Sequence, residues 1–252
     1  MSRPLDPNAR QSNRHWTAAL VAGAVALVLA AVLFIFPALE RVYLNQLGTR
    51  EASTLTLAVE GLNGSLRRFE ALPALIAERP DLIEALRTPS DQSVIDRVNE
   101  SLDRTAEDVG LSDIFLIDPT GLTIAASNHW KELSFVGQNF AFRPYFTSAL
   151  TGEQGRFFAL GTTSGERGYF FAEAVRDGTE IVGVLAVKFT VDSFEEAWRN
   201  GTNEIIVLDD AGVIFMASRA DWHFRSLDAL TPAARTAIED TKKYPMDQLA
   251  PL

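Results

Sequence analysis

There is no cysteine among the 252 residues, so disulfide scaffolds, thiolate metal sites and cysteine nucleophiles are excluded together. Histidine is scarce. His15, His129 and His223 are far apart, and no two stand at the i, i+4 spacing that puts a pair of imidazoles on one helix face, which argues against a transition-metal site. An excess of positive charge is also missing: 23 Lys and Arg face 33 Asp and Glu. The net charge of -10 speaks against a nucleic-acid partner, whose phosphates need a basic face. No Walker A loop, dinucleotide glycine pattern or G-x-S-x-G elbow occurs. GTTSG at 161–165 departs from the elbow, and nothing brings His129 near Ser164 as a base. These absences leave no catalytic residue to name and no cofactor to expect, and they turn attention from reactions to binding.

What is present begins with twenty residues, 17–36, that carry no charge. At about 1.5 Å per residue a helix of that length matches a hydrocarbon core of about 30 Å. The expectation is a cytoplasmic tail at 1–16 and a transmembrane helix at 17–38. Arg3, Arg10 and Arg14 precede the span and mixed charges follow it, so the N-terminus is expected in the cytoplasm and the rest outside. A buried core helix and a cleaved signal peptide are the alternatives. The first seldom lacks polar residues all round, and the second usually has an apolar stretch of only about 7 to 15 residues.

A helical stalk is expected over 39–110. Leu55, Val59, Leu62, Leu66 and Phe69 recur at spacings of four and three, which draws one apolar stripe along a long helix. Such a stripe either docks on its own domain or pairs with its twin in a homodimer. Pro73, Pro80 and Pro89 punctuate the next twenty residues or so. Ser90 or Asp91 can cap a further helix whose Val94, Ile95, Val98 and Leu102 face inward.

At Asp113 the period changes from 3.6 to 2. DIFLIDPTGLTIAAS, 113–127, has two β-rich runs around Asp118-Pro119-Thr120-Gly121, which predicts a hairpin. EIIVLDDAGVIFMAS, 204–218, repeats it: Asp118 matches Asp209, Gly121 matches Gly212, and Ala126-Ser127 matches Ala217-Ser218. A repeat on this scale predicts two copies of one domain type. The first copy, 111–200, continues with strands expected at 156–162, 167–176 and 181–190, which completes a five-stranded antiparallel sheet. The second, 201–252, has its hairpin and a helix-like 231–243, then lacks about three strands. The chain therefore reads as a fragment or shortened form of a larger parent, with an α+β fold whose second module is incomplete.

Three features of the first copy suit an anion. In FRPYF, 142–146, Arg143 precedes a proline that fixes the local backbone, and Tyr145 follows. A guanidinium so held can clamp a carboxylate, with a phenol as a further donor; the plainer alternative is a surface arginine beside a helix start. Thr162, Thr163 and Ser164 stand between glycines and offer hydroxyls and N–H groups, or else form a polar hairpin tip. Lys188 sits amid the apolar strand GVLAVKFTVD, either as an edge-strand guard or as the partner of an inward-facing acid. Residues 127–171 hold four cations and three acids, so an anion meets less repulsion there than in the chain at large.

The segments SNHW, VGQNFAFRPYF, GRFFALGTTSGERGYFF and GVLAVKF, within 125–198, resemble the periplasmic sensor of the C4-dicarboxylate sensor histidine kinases, a two-component family. The resemblance implies two stacked PAS-like modules in the double-Cache arrangement, in a bacterial inner membrane with the sensor region periplasmic. It implies that the membrane-distal module binds succinate, fumarate or malate. Arg143 and Tyr145 would hold one carboxylate and Lys188 the other, with Thr162, Thr163, Ser164 and Tyr169 lining the pocket. A dianion needs a cation at each end, because burying either carboxylate alone is costly. The family's ATP-dependent kinase core has no counterpart in these residues, so the chain is expected to bind and not to phosphorylate. The alternatives are a shortened membrane subunit that pairs with a full-length kinase, a double-Cache sensor for another small organic acid, and, more remotely, an extracytoplasmic hydrolase.

Overall fold

The computed structural model describes residues 20–24, 26–27, 36–201 and 203–252. The segment 17–38 expected to span a membrane lies largely outside the described residues. Among those described, no helix is long and apolar enough to cross one. Residues 59–252 make one compact unit.

Helix α1 (Phe36–Glu70) ends where Pro73 opens α2 (Leu72–Ala77), and Arg67 and Arg68 in its last turn complement the negative end of its dipole. Its stripe divides. Leu62 and Phe69 are buried and Leu66 half-buried, whereas Leu55 and Val59 remain exposed. Helix α3 (Pro80–Arg87) starts on its own proline. Asp91 caps α4 (Gln92–Val109) by accepting from the Ser93 and Val94 N–H groups at 3.0 and 3.4 Å, and Gly110 ends it at φ 75°. Val94, Ile95, Val98 and Leu102 are buried, as the spacing predicts.

Strands β1 (Asp113–Ile117), β2 (Thr123–Ala126), β3 (Gly155–Leu160), β4 (Arg167–Asp177) and β5 (Glu180–Thr190) form one antiparallel sheet in the order β2-β1-β5-β4-β3. Strand β5 is central and buried along nearly its whole length, which fits its run of Val, Leu and Ala. One face of the sheet packs on the helices, where Phe69 stacks on Phe189 with ring centroids 4.3 Å apart. The other face is covered by α5 (Pro144–Leu150) and the loop before it. There Phe115, Phe135, Phe140, Tyr145 and Phe170 form an aromatic core. Gly155 lets α5 come this close: a Cβ at that position would fall 2.1 Å from the Tyr145 carbonyl oxygen.

Helix α6 (Asp192–Arg199) leads to the second hairpin, β6 (Ile206–Leu208) and β7 (Ile214–Ala217). A short 3-10 turn (Ala220–Trp222) and α7 (Pro232–Asp240), capped by the Thr231 hydroxyl, complete the described chain.

Candidate ligand site and relatives

The register aligns Phe157 of β3, Phe170 of β4, Lys188 of β5 and Asp113 of β1 in one row across the sheet. Side chains in such a row share a face, and neighbouring strands lie about 4.8 Å apart, so about 10 Å of sheet separates the Phe157 and Lys188 positions. Arg143 lies over this row at one end, its guanidinium carbon 5.7 Å from the Phe157 ring centroid. Tyr145 stacks on Phe170 in the middle at 5.3 Å. Lys188 stands next to them. Three of the expected residues therefore gather on the face covered by α5, in the order Arg143, Tyr145, Lys188.

Both cations are buried, and both already have partners. Arg143, the residue before Pro144 at the start of α5, is 1% exposed. Its guanidinium donates to the Leu160 carbonyl at 2.9 Å and to the Thr241 and Lys242 carbonyls at 3.0 and 3.1 Å. Those last two lie just past the C-terminal end of α7, where helix carbonyls lack partners and the dipole is negative. Burial pushes the guanidinium down from its usual range and the Tyr145 phenol up, with the neighbouring Arg143 charge opposing the latter.

Lys188 is fully buried. It lies across β4 at Gly168, where a Cβ would sit tightly against its stem, 3.1 Å away. Its ammonium donates to Ser164 Oγ at 2.9 Å and Glu166 Oε2 at 2.7 Å, with Asp113 Oδ2 at 3.7 Å. Burial raises the Asp113 carboxyl, and the Ser112 hydrogen bond and the Lys188 charge only partly oppose this. Because β5 is central, Lys188 guards no edge. It is the partner of an inward-facing acid, the second of the two meanings its sequence context allowed.

Of the hydroxyls between glycines, Ser164 turns to Lys188, Thr163 is half-buried and Thr162 is exposed at the tip of the β3–β4 connection. Tyr169 is not brought together with the others. It follows Gly168 and precedes Phe170, both on the Lys188 side of the strand's contacts, so it points to the opposite face and packs against Phe158, Phe171 and Phe215. There it borders a cavity of about 430 Å³ floored by Phe158 and Phe171 and walled by Leu66 and Arg67 of α1.

Residues that sequence reasoning did not assign cluster where α6 meets the second hairpin. Glu195 accepts from Arg167 at 2.6 Å, from the Ala217 N–H at 2.8 Å, and lies 2.9 Å from His223 Nε2. Burial alone would raise its carboxyl, but these hydrogen bonds outweigh it and hold it at about 2. Arg167 also donates to the Phe215 carbonyl at 3.0 Å, so this buried network ties β4 to β7.

No protein-family model matches the chain. A Pseudomonas aeruginosa protein named C4-dicarboxylate transport sensor protein DctB is 41% identical over 229 residues, 90% of this chain. A Rhizobium meliloti protein of the same name is 31% identical over 254 residues, 98% of this chain. The chain spans 37% and 40% of the length of these two curated relatives. Among solved structures, the sensor domain of the Vibrio cholerae histidine kinase DctB matches with a TM-score of 0.78 at 35% identity, over 82% of this chain and 81% of that one. The ligand-binding domain of the Campylobacter jejuni chemoreceptor Tlp3, in complex with 4-methylisoleucine, shares the fold at a TM-score of 0.51 and 17% identity, over 66% of each chain.

Proposed function

We propose, because this chain belongs to the family of DctB sensor domains, that it is the extracytoplasmic input region of a two-component sensor histidine kinase and binds a C4-dicarboxylate such as succinate, fumarate or malate. The observation that carries the reading is the row over β3, β4 and β5, with a guanidinium at one end, a phenol between and an ammonium at the other. A short diacid laid along it would give one carboxylate to Arg143 and Tyr145 and the other to Lys188 and Ser164, with Thr162 and Thr163 at the mouth. Each charge-assisted contact would stabilise the complex by about 1.5–3 kcal/mol.

In this reading 1–16 is cytoplasmic, 17–38 crosses the bacterial inner membrane, 39–110 is the stalk and 111–200 is the membrane-distal PAS-like module. Residues 201–252 begin the membrane-proximal one, so the tandem is a double-Cache arrangement. The repeated hairpin supports that tandem. The exposed Leu55, Leu57 and Val59 support a second copy of the chain as the stalk's partner. Arg143 would couple binding to the proximal module. A carboxylate that took the Nη1 donors would take them from the Thr241 and Lys242 carbonyls, and occupancy and the seating of α7 would then be linked equilibria.

Calorimetric titration of the 252-residue chain with succinate tests the reading. Lys188→Met, which keeps the bulk of the stem, is expected to weaken binding by about tenfold to a few hundredfold. Equal affinity in the wild type and the variant contradicts the site.

A further inference from the structure

We infer that Glu166 is a carboxylate carried on the chain that occupies the place of one end of the ligand, and that it thereby sets how much diacid the sensor needs. The inference rests on the proposed role of Lys188 as a ligand anchor. A buried ammonium requires a counter-charge, and two acids are near it. Asp113 is buried beside it, 3.7 Å away and without a hydrogen bond to it. Glu166 makes the hydrogen bond, at 2.7 Å, yet its side chain is 55% exposed. The acid that neutralises Lys188 most directly is thus the one with water at its back.

The loop that carries Glu166 does not depend on that carboxylate. The Gly161 N–H donates to the Glu166 carbonyl at 2.8 Å and the Gly165 N–H to the Gly161 carbonyl at 2.9 Å. Gly165 takes the positive φ of 68° that the turn requires. The glutamate side chain can therefore rotate into solvent while the backbone stays in place, whereas Asp113, fixed in β1, cannot. An arriving carboxylate exchanges one ion pair at Lys188 for another. A monoacid gains little by that exchange, but a diacid brings a second carboxylate to Arg143 and retains a net gain. Competition of this kind reduces apparent affinity by the fraction of molecules whose Lys188 is free.

The test is succinate calorimetry on the 252-residue chain with Glu166→Gln, which keeps an acceptor for the ammonium, and with Glu166→Ala. Both are expected to tighten binding by about 1.5- to 5-fold, the range for losing one partly exposed charged contact. The gain should vanish in a Lys188→Met background, which separates competition at the ammonium from a general effect on the loop. Affinity unchanged or weakened in both single variants, with wild type binding succinate, overturns the inference and leaves the proposed function standing. No succinate heat from the wild type or either variant overturns both.

Discussion

In the first hairpin the Asp118 carboxylate accepts from the Thr120 and Leu122 N–H groups at 2.8 and 3.0 Å. In the second, Asp209 accepts from Ala211 and Val213 at 2.9 and 2.8 Å. Gly121 and Gly212 take φ of 92° and 78°, and both ladders shift register at the same place, between Leu116 and Ile117 and between Val207 and Leu208. Ser127 Oγ accepts from the Ile114 N–H, and Ser218 Oγ from Ile205. Beyond these shared bonds the copies diverge. Asp118 is half-buried at the rim of a five-stranded sheet. The second oxygen of Asp209 meets Lys243 at 2.8 Å and the Tyr244 hydroxyl at 3.0 Å, in the interior. Burial and the nearby Asp209 push the Tyr244 phenol far above its usual range. Matching residues thus reproduce the same turn, and the surroundings decide whether its aspartate is a local brace or the centre of a buried polar cluster.

Substituting the two aspartates separates those roles. Asp209→Ala leaves Lys243 and Tyr244 without their acceptor and is expected to cost about 3–5 kcal/mol, whereas Asp118→Ala loses only turn hydrogen bonds, about 1 kcal/mol. Urea unfolding of both variants measures the difference, and equal losses would mean that the burial of Asp209 carries no energetic weight. A smaller effect concerns the network that joins the two copies. Glu195 is held at about 2 in the folded chain, below its value in the unfolded one. Its contribution is therefore present above the ordinary carboxylate range and is lost as pH falls toward the folded value. Thermal melting should show wild type losing about 1–3 kcal/mol more than Glu195→Gln between about pH 5 and pH 2. Parallel curves would remove the network from the account. The smallest effect sharpens the likeness: Ser127→Ala and Ser218→Ala should each cost about 1 kcal/mol by unfolding, since each serine satisfies one strand N–H. A large cost in only one would show that the shared bonds are not equivalent.

Much of this architecture is written in local patterns. The Asp91 cap, the inward face of α4, both hairpins and the three long strands arise from spacing and turn chemistry, because each depends on residues a few positions apart. The site is only half legible. A lysine inside an apolar strand requires a buried counter-charge, and Asp113, an acid at the head of the buried run DIFLI, is the signal that names one. Which face of β4 meets Lys188 depends on the β4–β5 register, a non-local quantity. Tyr169 therefore lands on the far face, although it adjoins two residues that do not. Two of the three carbonyls that hold Arg143 lie 98 and 99 residues away, and no spacing rule joins them. The upper stalk stripe is legible as apolar but not as docked, since its residues become buried only from Leu62 onward.

The claim that one diacid spans Arg143 and Lys188 is tested most directly by deleting a carboxylate from the ligand and the ammonium from the protein, separately and together. Succinate and butyrate, which differ by one carboxylate, are titrated calorimetrically into wild type and Lys188→Met. The expected result is that wild type prefers succinate by about tenfold or more and that the variant binds the two acids nearly alike. A preference for succinate that survives intact in Lys188→Met would contradict it, because the second carboxylate would then be held by some other group.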